Sequence, residues 1–273
     1  MSDWTANDLY VNGIKVHYAR TGGQKPPIVL MHGFSDNGLC WTPIARALED
    51  AYDVIMPDAR GHGLSERVTP GSTPDGVADL AGLIQALALD RPAVMGHSMG
   101  ASTAALVGAQ YPDLVGCLIL EDPPLRDEEP APPKQAAGEE KLPPFVQELI
   151  KVKSHTREEI MAFCRAKNPT WPEAELEPWA DSKLQFDLNV LKMKLPDYTG
   201  WREVVSHITC PTLLITADPD RGALVTPEAA QEVVRLLPQC EVAHIAGAGH
   251  SIRREQAAAY LEAVARFLRE HYR

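Results

Sequence analysis

Residues 92–105 read PAVMGHSMGASTAA, and the order of residue types in this stretch decides the fold. Apolar and small residues lead into Gly96, Ser98 stands between Gly96 and Gly100, and a run of small residues leads out. That order describes a buried strand, a tight turn and a helix. A Cβ two positions before or after the serine would collide with the neighbouring strand or helix, hence the glycines. Outward from this stretch the same alternation repeats. PIVLMHG (27–33) and YDVIMPD (52–58) are short apolar runs without alternation, as expected of strands buried on both faces. WTPIARALED and GVADLAGLIQALALD (76–90) read as helices, the second with Val77, Leu80, Leu83, Ile84 and Leu87 at helical spacing. VGCLILED (115–122) reads as another strand, and Asn12-Gly13 between two alternating runs is a hairpin signal. Strands and helices in turn, with short connections, predict a mostly parallel sheet covered on both faces.

At Asp122 the composition changes. DPPLRDEEPAPPKQAAGEEKLPPF (122–145) is dense in proline and charge and marks a boundary or an exposed linker. Short helical patterns follow; in SKLQFDLNVLKMKL, Leu184, Leu188, Leu191 and Leu195 share one helical face. Residues 123–206 are therefore expected to form a helical insertion, with 1–122 and 207–273 making the main domain. The sheet pattern resumes with PTLLITAD (211–218), a helix over 226–238, a strand opening CEVAHIAGAGH (240–250), and a closing helix bearing Tyr260, Leu261, Val264, Phe267 and Leu268.

The 273 residues suffice for one large α/β domain with an insertion, at 45% hydrophobic and 23% charged. A net charge of −11 argues against partners that attract through phosphates, so neither nucleic acid nor an anionic membrane is expected. No stretch reaches the apolar length of a membrane span, and MSDWTANDLYVNGIKV lacks the features of a secretory signal. Five scattered cysteines without a CxxC pair fit reduced, buried thiols, and a cytoplasmic location is the expectation. No metal site is read from the spacing.

Gly96-x-Ser98-x-Gly100 has the pattern of a nucleophile elbow, which lifts a serine hydroxyl above a sheet edge over a helix N-terminus. A serine hydroxyl needs an adjacent base. His250, on a glycine loop after an apolar strand and before the last helix, stands where the order serine, acid, histidine requires it. Asp218 and Asp220, just past the strand at 211–218, are both candidates for the acid that orients it.

In HGFSDN (32–37), DARGHGLS (58–65), GHSMG (96–100), PTLLITADPD (211–220) and GAGHSI (247–252), the chain resembles the α/β-hydrolase superfamily over nearly its whole length. The resemblance implies an eight-stranded, mostly parallel sheet flanked by helices, with the insertion forming a cap over Ser98. It selects Asp220 as the acid, although Ala217 stands where the family has a glycine; Asp218 stays an alternative, as does Asp122, since some lipase-like members carry the acid after the preceding strand. It also implies an oxyanion hole made by the backbone N–H groups of Phe34 and Met99. His32 is expected as a turn residue near the pocket, Arg60 and His62 as braces of neighbouring loops, and Phe145, Trp171, Trp179 and Phe186 as possible pocket lining or cap packing. The activity implied is cofactor-free serine hydrolysis of a carboxylic ester or lactone of a small, largely apolar molecule, by a monomer or homodimer. Alternatives are a carbon–carbon bond hydrolase of the meta-cleavage type and a non-catalytic small-ligand receptor.

Overall fold

The computed structural model describes residues 4–69, 75–127, 143–192 and 200–272. Eight strands form one sheet: β1 (Thr5–Val11), β2 (Ile14–Arg20), β3 (Pro27–Met31), β4 (Asp53–Pro57), β5 (Ala93–His97), β6 (Cys117–Glu121), β7 (Thr212–Thr216) and β8 (Cys240–His244), in the spatial order β1-β2-β4-β3-β5-β6-β7-β8. The first two make the expected hairpin, with Asn12 and Gly13 at φ 47° and 74° in its turn. β2 meets β4 antiparallel; from β4 to β8 every pairing is parallel.

The strand interiors explain why no polar alternation is visible in the sequence. Val29, Val94, Leu118 and Leu214 belong to a core on one face of the sheet. Their neighbours Leu30, Met95, Ile119 and Ile215 belong to a second core on the other face. Both faces are dry, so both sets are apolar. The helices of the main domain are α1 (Thr42–Leu48), α2 (Gly76–Ala86) and α3 (Met99–Gln110). Between β6 and β7 lie α4 (Pro144–Lys153), α5 (Arg157–Lys167), α6 (Leu176–Gln185) and α7 (Trp201–Ser206); after β7 come α8 (Pro227–Leu236), α9 (Ile252–Glu255) and α10 (Ala257–His271). Val107 on α3 and Val233 on α8 pack into the first core, Ile44 on α1 and Phe267 on α10 into the second.

The insertion differs from its sequence reading in two ways. The helix expected through 182–195 breaks after Gln185, because Asp187 turns its side chain on the backbone: its two oxygens accept from Val68 N–H and Asn189 N–H. A short 3₁₀ turn over Leu188–Lys192 follows, and Leu195 lies outside the described residues, as do 128–142 of the proline-rich stretch. Second, α7 packs with the main domain: Trp201 and Val205 are part of the first core. The described inserted helices that stand apart from that core are α4, α5 and α6, gathered around Leu149, Phe186 and Val190 and around Val152, Ile160 and Ala180.

Candidate active site

The register of the parallel strands delivers four loops to one edge. His97 pairs with Glu121, so Ser98 and Asp122 leave adjacent strands at the same level. Glu121 pairs with Ile215 and Thr216 with His244, which brings the loops after β7 and β8 to the same edge.

Ser98 sits between β5 and α3 at φ 52°, a left-handed conformation that is costly for any residue with a Cβ. The glycines on either side show why it persists. A Cβ on Gly96 would lie 2.3 Å from the Gly100 carbonyl oxygen, and one on Gly100 would lie 2.2 Å from the Met31 carbonyl oxygen. Ser98 N–H donates to the Glu121 carbonyl at 2.9 Å, which ties the turn to β6. Although the serine occupies the N-cap position of α3, its hydroxyl does not cap the helix.

His250 lies against the elbow. Its ring centroid is 4.6 Å from that of His97, the residue before Ser98, and its carbonyl accepts from His97 Nε2–H at 2.9 Å. Burial, with Arg253 and His250 nearby, holds His97 well below its ordinary pKa, so it is a neutral ring that donates one hydrogen bond. Its other nitrogen, Nδ1, is buried without a partner. On the far side of His250, Nδ1 lies 2.6 Å from Asp122 Oδ2. A carboxylate only accepts, so Nδ1 carries a proton, and in the neutral ring Nε2 is the nitrogen with the free lone pair. Among the described residues no hydrogen bond joins Ser98 Oγ to His250; such contacts commonly tighten only around a bound substrate.

The carboxylate on His250 is thus that of Asp122, not Asp220. Asp122 is fully buried at φ 44°, and its oxygens also accept from Leu224 N–H and Val225 N–H. Asp220 is exposed in a 3₁₀ turn over Pro219–Arg221. Asp218 does something else again: it accepts from Gly247 N–H at 2.7 Å and bonds His244 at 3.1 Å, bracing the loop that carries His250. The strand before these two aspartates is β7, one strand further from Ser98 than β6, and its loop is spent on holding the histidine loop in place.

The amides of Phe34 and Met99 have no protein acceptor among the described residues, and Met99 opens α3, where a helix has free N–H groups. Phe34 precedes Ser35 at φ 62°, within a turn closed by Asp36 N–H on the Gly33 carbonyl at 3.1 Å. The Phe34 ring meets Phe186 at 5.2 Å and Phe145 at 6.1 Å, so two of the four expected aromatics gather here. Trp171 lies instead over Arg254, and Trp179 under Lys183. His32 is a buried turn residue: Nδ1–H donates to Gly33 O, and Nε2 accepts from Ala59 N–H. Arg60 pairs with Asp79, and His62 donates to the Arg60 carbonyl while its ring packs on Phe186 and His32.

Beneath the site runs a buried ionic cluster that sequence patterning did not mark. Asp36 bonds Lys183 at 3.0 Å and Arg254 at 2.9 Å; Arg254 also bonds Glu175, and Arg253 bonds Glu121. Burial alone would raise the Asp36 carboxyl, but Arg254, Lys183 and Arg253 hold it well below its ordinary value. Burial wins at Glu121, which is raised despite Arg253. Arg253 and Arg254 follow His250 closely in sequence, yet nothing in their spacing distinguishes buried cations from a solvated helix face.

A profile of the Alpha/beta hydrolase family matches residues 28–263. The chain belongs to that family. N-formylmaleamate deformylase of Pseudomonas putida is 29% identical over 267 residues, covering 92% of each chain. Esterase YbfF of Escherichia coli is 26% identical over 264 residues, 94% of this chain and 98% of its own. The crystal structure of an N-formylmaleamic acid deformylase from Pseudomonas putida S16 superposes with a TM-score of 0.78 at 26% identity, over 95% of this hydrolase and all of that chain. The five cysteines are all buried and unpaired, and among the described residues no helix is long and apolar enough to cross a membrane.

Proposed function

We propose that this hydrolase acts through Ser98, His250 and Asp122 on an acyl bond of a small, largely apolar substrate: a carboxylic ester or lactone, or an activated N-acyl bond of the kind named for its deformylase relatives. The observation that carries the reading is the 2.6 Å bond between His250 Nδ1 and Asp122, on a ring that packs beside the elbow of Ser98. His250 Nε2 takes the Ser98 proton as Oγ attacks the carbonyl carbon, and Asp122 holds the imidazole in the right tautomer and stabilises its charged form. The oxyanion that forms accepts from Phe34 N–H and Met99 N–H. His250 then passes the proton to the leaving oxygen or nitrogen as the bond to it breaks. A water, deprotonated by His250, attacks the acyl-serine, and the proton returns to Oγ as the acid leaves. No cofactor enters these steps.

The inserted helices α4 to α6 supply the roof on this reading, with Phe145 and Phe186 beside Phe34 as the apolar wall. The buried cations near the site, Lys183, Arg253 and Arg254, are each bonded to carboxylates, which favours an uncharged substrate portion here. Labelling with a fluorophosphonate followed by peptide mapping tests the nucleophile: the adduct is expected on Ser98. Ser98→Ala is expected to lower kcat on a p-nitrophenyl ester by about 10⁴-fold or more. An adduct elsewhere, or a loss of only a few fold, overturns the reading; an N-formyl amide tested beside the ester separates the two bond types.

A further inference from the structure

Lys183 belongs to α6 of the insertion, yet the three hydrogen bonds of its ammonium go to the main domain. Its buried ammonium donates to the Ser35 carbonyl at 2.9 Å, the Ser35 hydroxyl at 3.0 Å and Asp36 Oδ1 at 3.0 Å. The stem places this charge over the face of Trp179, 4.7 Å from the ring centroid. Three donors of one cation thus meet three acceptors on two consecutive residues, an arrangement that saturates the lysine.

Those two residues follow Phe34 directly. Ser35 is held at φ 62°, where a residue with a Cβ stays only under external restraint. Asp36 closes the turn through its N–H on Gly33 O, and its second oxygen is fixed by Arg254 of α9 at 2.9 Å. The Phe34 amide lies inside this turn. Loss of the ammonium would take this donor from the Ser35 carbonyl and remove one restraint on the turn that holds the Phe34 N–H.

We propose that Lys183 is a positioning residue for the oxyanion hole, so that seating the cap and completing the hole are one event. The proposal rests on the reading that Phe34 N–H receives the oxyanion. It separates Lys183 from an ordinary buried ion pair, which would hold the insertion on the main domain but leave the chemistry of a folded molecule unchanged.

The test compares wild type, Lys183→Met, and Lys183→Met combined with Ser35→Gly. For each, kcat and KM on a p-nitrophenyl ester and the inhibition constant of a trifluoromethyl ketone, whose serine adduct carries an oxyanion, are measured. Lys183→Met is expected to lower kcat about 10- to 100-fold, somewhat less than outright loss of an oxyanion donor. KM should stay within about threefold, and the inhibition constant should rise by the factor lost from kcat. Glycine occupies the left-handed region freely, so adding Ser35→Gly should recover part of the loss. Where Lys183→Met does not fold, Asp36→Asn with Lys183→Met removes the pair together and carries the same measurements. A folded variant with wild-type kcat and inhibition, a loss confined to KM, or no recovery from Ser35→Gly overturns the proposal alone. A wild type that takes no fluorophosphonate overturns it together with the reading it rests on.

Discussion

Asp122 Oδ2 and His250 Nδ1 lie 2.6 Å apart although 128 residues separate them in the chain. The carboxylate is fully buried and the imidazole about one-third exposed, so the pair has a fixed end and a working end. Two backbone amides hold the carboxylate as well: Leu224 N–H donates to Oδ2, the oxygen that meets the ring, and Val225 N–H to Oδ1. It therefore cannot drift from the histidine without leaving both amides unpaired.

Asp122→Asn should lower kcat by about 10³- to 10⁴-fold, because an amide in place of the carboxylate favours the wrong imidazole tautomer and leaves the charged ring unsupported. Asp220→Asn should stay within about twofold, since that side chain is exposed and makes no bond to the ring among the described residues. Steady-state kinetics on one ester measures both; similar losses for the two variants would remove Asp122 from the relay.

The same residues show what was legible in the sequence and what was not. Glycines at 96 and 100 are written into the chain because a backbone clash of about 2.3 Å admits no alternative, and such a constraint survives in any single sequence. Apolar strands buried on both faces are legible for the same reason. The choice among Asp122, Asp218 and Asp220 depends on how far one loop leans over the sheet edge, a distance no residue type encodes. Ala217, standing where a glycine was expected, was the available hint that the loop after β7 is not built to present an acid. Lys183 was invisible because its partners, Ser35 and Asp36, lie about 150 residues away and are met only through the packing of α6.

Gly96→Ala and Gly100→Ala should each abolish most of the turnover, by about 10²-fold or more, since misplacing a nucleophile by an ångström costs that much. The obstacle in both cases is backbone, the Gly100 carbonyl for one and the Met31 carbonyl for the other, so no side chain is available to yield. A stability loss of about 1–3 kcal/mol should accompany it, as for other overpacked sites. Urea unfolding with a parallel kinetic assay checks both; an alanine variant with wild-type turnover would mean that the turn is looser than its contacts imply.

His62 gives the fold a dependence on acid. Burial pushes its pKa down to about 3 in the folded chain, against an ordinary value of 6.5. Between these values the unfolded chain binds a proton that the folded one refuses, so the stability is complete above about pH 6.5 and falls as the pH falls. For this group alone the loss at pH 5 is about 2 kcal/mol. His62→Phe keeps a ring against Phe186 and removes the titration. Its urea-derived stability should drop less steeply from pH 7 to pH 5 than that of the wild type, by about that amount; equal slopes would assign the proton uptake to other groups, His32 and His97 first among them.

Arg254 is the cation on which the buried cluster depends most. It bonds Asp36 and Glu175 at 2.9 Å each, and all three side chains are almost wholly enclosed. Arg254→Met removes the charge and leaves Glu175 with no cation among the described residues, and Asp36 with Lys183 and a distant Arg253 at 3.5 Å. Breaking one partner out of a buried ion pair costs about 3–5 kcal/mol, because the remaining charge stays desolvated. The urea midpoint should fall accordingly. Adding Glu175→Gln, which removes the stranded carboxylate, should restore a measurable part of the loss, since a neutral amide is far cheaper to bury than an unpaired charge. If the double variant is as unstable as the single one, the cost lies in lost packing against Trp171 rather than in the unpaired carboxylate.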